Sequence, residues 1–160
     1  MSTIKLVLGM LVVENLHLEQ LDVKMAFLHG DLEEDIYMIQ PEGFIVQGQE
    51  NLVCKLRKSL YGLKLAPRQW YKKFDSFMHR IRFKGCEAAH CCYVKFFGNS
   101  YIILPLYVDD MLIVGSSMEE INNLKKQFTK QFAMKDLGAT KQILGMRIIT
   151  DKANGTLKLS

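Results

Sequence analysis

At 160 residues, 49% hydrophobic and 24% charged, with 3 Pro against 11 Gly, the chain has the size and make-up of one folded domain rather than a disordered tail. A formal charge of +4 and a pI near 8.8 permit a polyanionic partner without requiring one. No apolar run approaches the roughly 18 residues that cross a bilayer, so no membrane partner is expected.

Residues 4 to 16 read as a mostly apolar helix. Lys5 before "LVLGMLVV" imitates a secretory leader, but Glu14 and Asn15 follow at once without a small-residue cleavage pattern. Residues 18 to 27, "LEQLDVKMAF", turn strand-like, with Leu21 and Val23 flanking Asp22. The polar "HGDLEEDIY" is a loop leading to a short strand at 36 to 39. Leu52, Cys54 and Leu56 alternate with Lys55 and Arg57, which predicts a strand over 52 to 60. Pro67 opens a helix whose Trp70, Phe74, Phe77, Met78 and Ile81 form one apolar stripe. Strands are expected at 92 to 97, 101 to 107 and 111 to 114. Ser117 followed by Glu120 is a capping box, starting a helix to about Gln131. The final "QILGMRIITDKANGTLKLS" predicts a strand, an Asn154-Gly155 turn and a returning strand.

Helices alternating with clusters of short strands imply an α+β fold, with helices packed on one face of a largely antiparallel sheet. Four cysteines, Cys54, Cys86, Cys91 and Cys92, point to a reducing compartment. His90, Cys91 and Cys92 lack the second ligand pair of a structural zinc site, so buried thiols are expected there.

Two features carry chemistry. Asp109 and Asp110 interrupt the apolar "YIILPLYVDDMLIVG". They fit a turn between two strands, and equally a pair whose mutual repulsion a divalent cation removes. Asp22 is the other acidic residue set inside an apolar strand, so three carboxylates could hold two ions roughly 3.5 to 4 Å apart. Between Glu50 and Asp75 there is no acid, while Lys55, Arg57, Lys58, Lys64, Arg68, Lys72 and Lys73 fall there with Tyr61, Trp70 and Tyr71. Such a stripe suits phosphates and stacked bases, though Trp70 and Phe74 read as core, and Tyr61 is the better contact.

The blocks "QLDVKMAFLHGDLEEDIYMIQPEGF", "LVCKLRKSLYGLKLAPRQWYKKFDSFM", "LYVDDMLIVG" and "MKDLGATKQILGMRI" together resemble the reverse transcriptase of Ty1/copia-type long-terminal-repeat retrotransposons. The resemblance runs over essentially the whole chain. It implies a partial reverse transcriptase domain over 1–160, a palm with part of the fingers, acting as an RNA-directed DNA polymerase by two-metal nucleotidyl transfer. By family motif, Asp22, Asp109 and Asp110 are the catalytic acids and, with the Val23 backbone, bind Mg²⁺ or Mn²⁺. Val23, Lys24, Phe27, Tyr61 and Gly62 would contact the incoming nucleotide, Phe27 as the gate against a ribose 2′-hydroxyl. Tyr107, Lys64, Arg68, Leu144, Gly145 and Met146 would meet primer and template.

Implied partners are an RNA or DNA template-primer, dNTPs and the rest of a Pol polyprotein with its integrase and RNase H, in a cytoplasmic virus-like particle or the nucleus. Apolar surface left by missing neighbours would invite dimerisation. The chain departs from the family pattern at Met25, Leu65, Ala89, Pro105 and Ala133. Pro105 removes a ladder donor inside a strand, a cost of about 3 kcal/mol if that strand is central. The upstream fingers strands and the thumb, connection and RNase H regions are not expected here, so weak or no polymerisation by this piece alone is the expectation. The alternatives are an inactive remnant and an RNA-binding module of a sheet backed by two helices.

Overall fold

The computed structural model describes residues 2–87 and 91–160; Ala89 and His90 lie outside that set. Its elements in chain order are α1 (Ser2–Val13), β1 (His17–Val23), a 3-10 turn (Ala26–His29), β2 (Tyr37–Ile39), β3 (Val53–Lys55), α2 (Ala66–Arg80), β4 (Lys84–Gly85), β5 (Cys92–Phe97), β6 (Ser100–Tyr107), β7 (Asp110–Gly115), α3 (Met118–Gln131), β8 (Met134–Ala139), β9 (Gln142–Ile143), β10 (Met146–Asp151) and β11 (Thr156–Leu159). The chain divides into two compact units, residues 25–76 and the remainder, with the boundary inside α2. No described helix is long and apolar enough to cross a membrane.

The larger unit is built on a six-stranded antiparallel sheet in the order β4-β5-β6-β7-β1-β8. Its inner strand β7 reads Met-Leu-Ile-Val after Asp110, and all four are buried. A strand buried on both faces needs two covers. Ile4, Val7, Leu8 and Leu11 recur at helical spacing on α1 and pack with Leu112, Val114, Ile143 and Ile148. The opposite face meets α3, since a Cβ built on Gly115 would stand 3.3 Å from Ile121 Cδ1. The expectation of helices on one face is therefore corrected: α1 and α3 lie on opposite faces of β7, because its continuous apolar run leaves neither face for solvent. The α+β class holds.

Ser117 caps α3, its Oγ accepting the Glu120 amide. The β10–β11 turn forms where Asn154-Gly155 predicts it, with Gly155 at φ 59° and Asp151 Oδ1 accepting the amides of Ala153 and Asn154. Two strands escaped the sequence reading, β4 and β8, and the strand expected from Gln142 onward is broken at Leu144-Gly145 into β9 and β10.

Pro105 sits within β6, and its expected effect is visible. Ile103 pairs with Val114 and Leu106 with Met111, but no pairing joins Leu104 and Pro105 to Ile113 and Leu112. Leu106 sends its N–H to the Cys91 carbonyl at 2.8 Å, towards β5. Successive amides alternate sides, so the donor Pro105 lacks falls on the β7 side, where the ladder is open.

The smaller unit holds the 3-10 turn, the β2–β3 hairpin and the first part of α2. Trp70 and Phe74 are buried there, with ring centroids 5.6 Å apart, which places them in a core as the sequence suggested. Gly30 is required: a Cβ would meet Gln69 Cβ at 3.0 Å and the Trp70 backbone nitrogen at 3.1 Å. The strand expected over 52 to 60 shrinks to Val53–Lys55, because its partner β2 offers three residues to pair with.

Candidate active site

β1 and β7 run antiparallel, and their register sets Asp22 directly opposite Asp110. Opposed residues of an antiparallel pair share a face, so both carboxylates project to the side covered by α1. The β6–β7 turn is short, with Val108 at φ 59° and Tyr107 paired with Asp110. Asp109 occupies the turn, and its carbonyl accepts the Val23 amide at 3.0 Å. The next amide, Lys24, donates to the Ala133 carbonyl at 2.8 Å, which extends the anchoring of this end of β1 to the start of β8. The three acids thus meet at one end of the sheet. The turn reading of the pair is half right: Asp109 turns the chain, whereas Asp110 already belongs to β7.

Like charges on adjacent strands are costly. Burial first, then the charges of Asp109 and Asp22, push the Asp110 carboxyl above its ordinary pKa. Gln20 opposes this, donating from Nε2 to Asp110 Oδ1 at 3.4 Å. The sequence reading missed Gln20. Its position two residues before Asp22 puts it on the same strand face, and that period was the available signal.

Asp110, Gln20, Tyr107 and Leu144 line one cavity of about 140 Å³ together with Cys91 and Cys92. Leu144 and Gly145 form the β9–β10 turn at φ 48° and 80°. Of the expected primer contacts, then, Tyr107, Leu144 and Gly145 approach Asp110, and Met146 opens β10 beside them. Among the described residues no three His, Cys, Asp or Glu side chains form a ready metal-holding group.

In the smaller unit Phe27 lies against Tyr61, ring centroids 4.7 Å apart, next to Gly62 at φ 91°. Lys64 and Arg68 are exposed. The basic stripe is partly neutralised: Lys55 pairs with Asp35 at 2.8 Å, Lys72 with Glu33 at 2.5 Å and Lys73 with Asp31 at 3.3 Å. Arg57, Lys58 and Lys64 remain outside ion pairs among the described residues. The acidic loop at 31 to 35 supplies these counter-charges, which a window confined to residues 50–75 cannot show.

A family profile described as reverse transcriptase (RNA-dependent DNA polymerase) matches residues 1–160. The chain is 55% identical over its whole length to the retrovirus-related Pol polyprotein from transposon TNT 1-94 of Nicotiana tabacum, of which it covers 12%. It is 39% identical over 91% of its length to the Pol polyprotein from transposon RE1 of Arabidopsis thaliana, covering 10% of that protein. It is 34% identical over 88% of its length to the putative transposon Ty5-1 protein of Saccharomyces cerevisiae, covering 45% of it. No solved structure matches at a significant level. The chain belongs to the reverse transcriptase (RNA-dependent DNA polymerase) family, on its copia-type retrotransposon branch. It spans about an eighth of the tobacco relative, which is a Pol polyprotein.

Proposed function

We propose that the larger unit is the palm, and the smaller one part of the fingers, of an RNA-directed DNA polymerase that extends a primer by nucleotidyl transfer. The observation that carries this reading is the register of Asp22 against Asp110, with Asp109 tied to the same end of β1 through the Val23 amide.

The donor set suits Mg²⁺ or Mn²⁺. It consists of carboxylates and a backbone carbonyl, the oxygen chemistry that hard divalent ions take. Such ions use one or two carboxylates and leave positions for substrate phosphates, so an open arrangement fits better than a closed cage. Asp22, Asp109, Asp110 and the Val23 carbonyl would hold them. When bound, the ions neutralise phosphate charge and favour the ionised primer 3′-hydroxyl.

The remaining work is positioning. Phe27, braced by Tyr61, would crowd the sugar 2′-position, and Val23, Lys24 and Gly62 would lie along the nucleotide. Tyr107 and the Leu144-Gly145-Met146 turn would hold the primer end beside Asp110, with Lys64 and Arg68 on backbone phosphates. The reaction joins the 3′-oxygen to the α-phosphorus of a dNTP and releases pyrophosphate. Within a Pol polyprotein the chain would act beside integrase and RNase H, in a virus-like particle.

RNA-templated primer extension tests this, using the chain beside a longer Pol version. Extension dependent on Mg²⁺ or Mn²⁺ and abolished in Asp109→Asn supports it. Extension by Asp109→Asn at the parent rate removes the assignment. An inactive remnant is the second reading, favoured by the ladder gap at Pro105.

A further inference from the structure

The β4–β5 hairpin carries a second cluster of reactive side chains, and its Cys92 lines the cavity that holds Asp110. Lys84 pairs with Val94 and Gly85 with Tyr93, so the next step of the ladder sets Cys86 opposite Cys92. The Cys86 amide donates to the Cys92 carbonyl at 2.8 Å, which marks the two as a hydrogen-bonded pair. Such pairs hold their Cα atoms about 5.5 Å apart, at the commonest separation in disulfides. Both residues carry thiols, Cys92 buried and Cys86 half-buried, and the thiols hydrogen-bond to each other. Cys91 is one residue out of register, and its carbonyl is engaged by Leu106 on β6.

We propose that Cys86 and Cys92 are an oxidation site, in which a peroxide joins the two sulfurs into a disulfide across the β4–β5 ladder. The more exposed Cys86 sulfur attacks first. It breaks the O–O bond of hydrogen peroxide, takes one oxygen as a sulfenic acid, and the thiol proton leaves with the other oxygen as water. The Cys92 sulfur then attacks that sulfur. The S–O bond breaks, the S–S bond forms, and the second thiol proton departs in a second water. Overall two thiols lose two electrons and two protons, and peroxide is reduced to two waters. Burial, followed by the neighbouring Cys86 thiol, pushes the Cys92 thiol up to about 12, which disfavours it as the first sulfur to meet the peroxide. The disulfide would tie β4 to β5 at Cys92, whose register partner on β6 is Pro105, where the β6–β7 ladder is open.

The test is stepwise hydrogen peroxide treatment of the folded protein, alkylation of remaining thiols, and non-reducing peptide mass spectrometry. Cleavage after Glu87 separates Cys86 from Cys91 and Cys92, and fragmentation between the latter two identifies the partner. The expected product links Cys86 to Cys92 while Cys54 and Cys91 still take the alkylating agent. Cys92→Ser should trap Cys86 as a sulfenic acid reactive to dimedone, and Cys86→Ser should lose both products. The proposal is overturned if Cys54 or Cys91 is consumed while Cys86 and Cys92 stay alkylatable. It also fails if Cys86 links to Cys91 or to a second molecule in protein of unchanged circular dichroism.

Discussion

Asp22 and Asp110 face each other across the β1–β7 ladder, and Gln20 donates a hydrogen bond to the Asp110 carboxylate. An arrangement kept for folding alone would not oppose two carboxylates. Asp110→Asn removes the repulsion and keeps the shape, so it should raise unfolding free energy by about 0.5 to 1 kcal/mol in urea titrations. A loss of stability of that size would mean that the Asp110 charge serves the fold.

Lys125 on α3 joins two acids: Glu19 of β1 at 2.6 Å and Asp136 of β8 at 3.0 Å. The Lys125 and Glu19 side chains are only 12% and 13% exposed, so Lys125→Met leaves Glu19 buried and unpartnered and should cost about 2 kcal/mol in chemical denaturation. Burial alone would lower the Lys125 pKa, but its bonds to Glu19 and Asp136 raise it above 10.5. Burial works to raise Asp136, and the Gly138 amide and Lys125 outweigh it, leaving it below 3.8. A raised lysine stabilises fully below its unfolded pKa and loses that contribution as pH climbs through the folded one. A lowered aspartate stabilises above its unfolded value and loses the contribution as pH falls through the folded one. Stability should therefore fall below about pH 4 and above about pH 10, and Lys125→Met should flatten both flanks in melts across pH.

Gly115 ends β7 where α3 crosses it. An added Cβ would stand 3.0 Å from the Tyr101 carbonyl oxygen and 3.1 Å from Ile102 Cγ1. Backbone cannot yield as a flexible side chain does, so Gly115→Ala should destabilise by about 1 to 3 kcal/mol. An unchanged melting temperature would show that the start of β6 can shift away from Gly115 without cost.

Pro105→Val restores an amide on the β7 side of β6 and should close the gap opposite Leu112. The gain should be about 1 kcal/mol, reduced by the greater freedom of the unfolded valine chain. Hydrogen exchange provides the sharper readout, since the new amide at residue 105 should be protected in the folded state.

Much of this architecture can be read from residue spacing. The α2 stripe, the Ser117 cap and the Asn154-Gly155 turn obey local rules, and each forms where those rules place it. β8 escaped because Lys135, Asp136 and Gly138 carry no alternation; its pairing with β1 comes from the long-range register and from a bulge, with Gly138 at φ 67°. The placement of α1 and α3 on opposite faces also depends on tertiary context, although the unbroken Met111 to Val114 run implied two covers. The acids were legible as isolated charges in apolar runs. That Asp22 stands opposite Asp110, and that Gln20 reaches the same carboxylate, follows from strand register, which no single segment encodes.

The central claim is that these three acids together bind divalent cations in the presence of a nucleotide. Electron paramagnetic resonance of free Mn²⁺, titrated with the protein and a dNTP, tests it most directly. The parent chain should deplete the free signal in a saturable way, while folded Asp22→Asn, Asp109→Asn and Asp110→Asn chains should each lose most of that uptake. Equal uptake by the parent and all three variants would contradict the account.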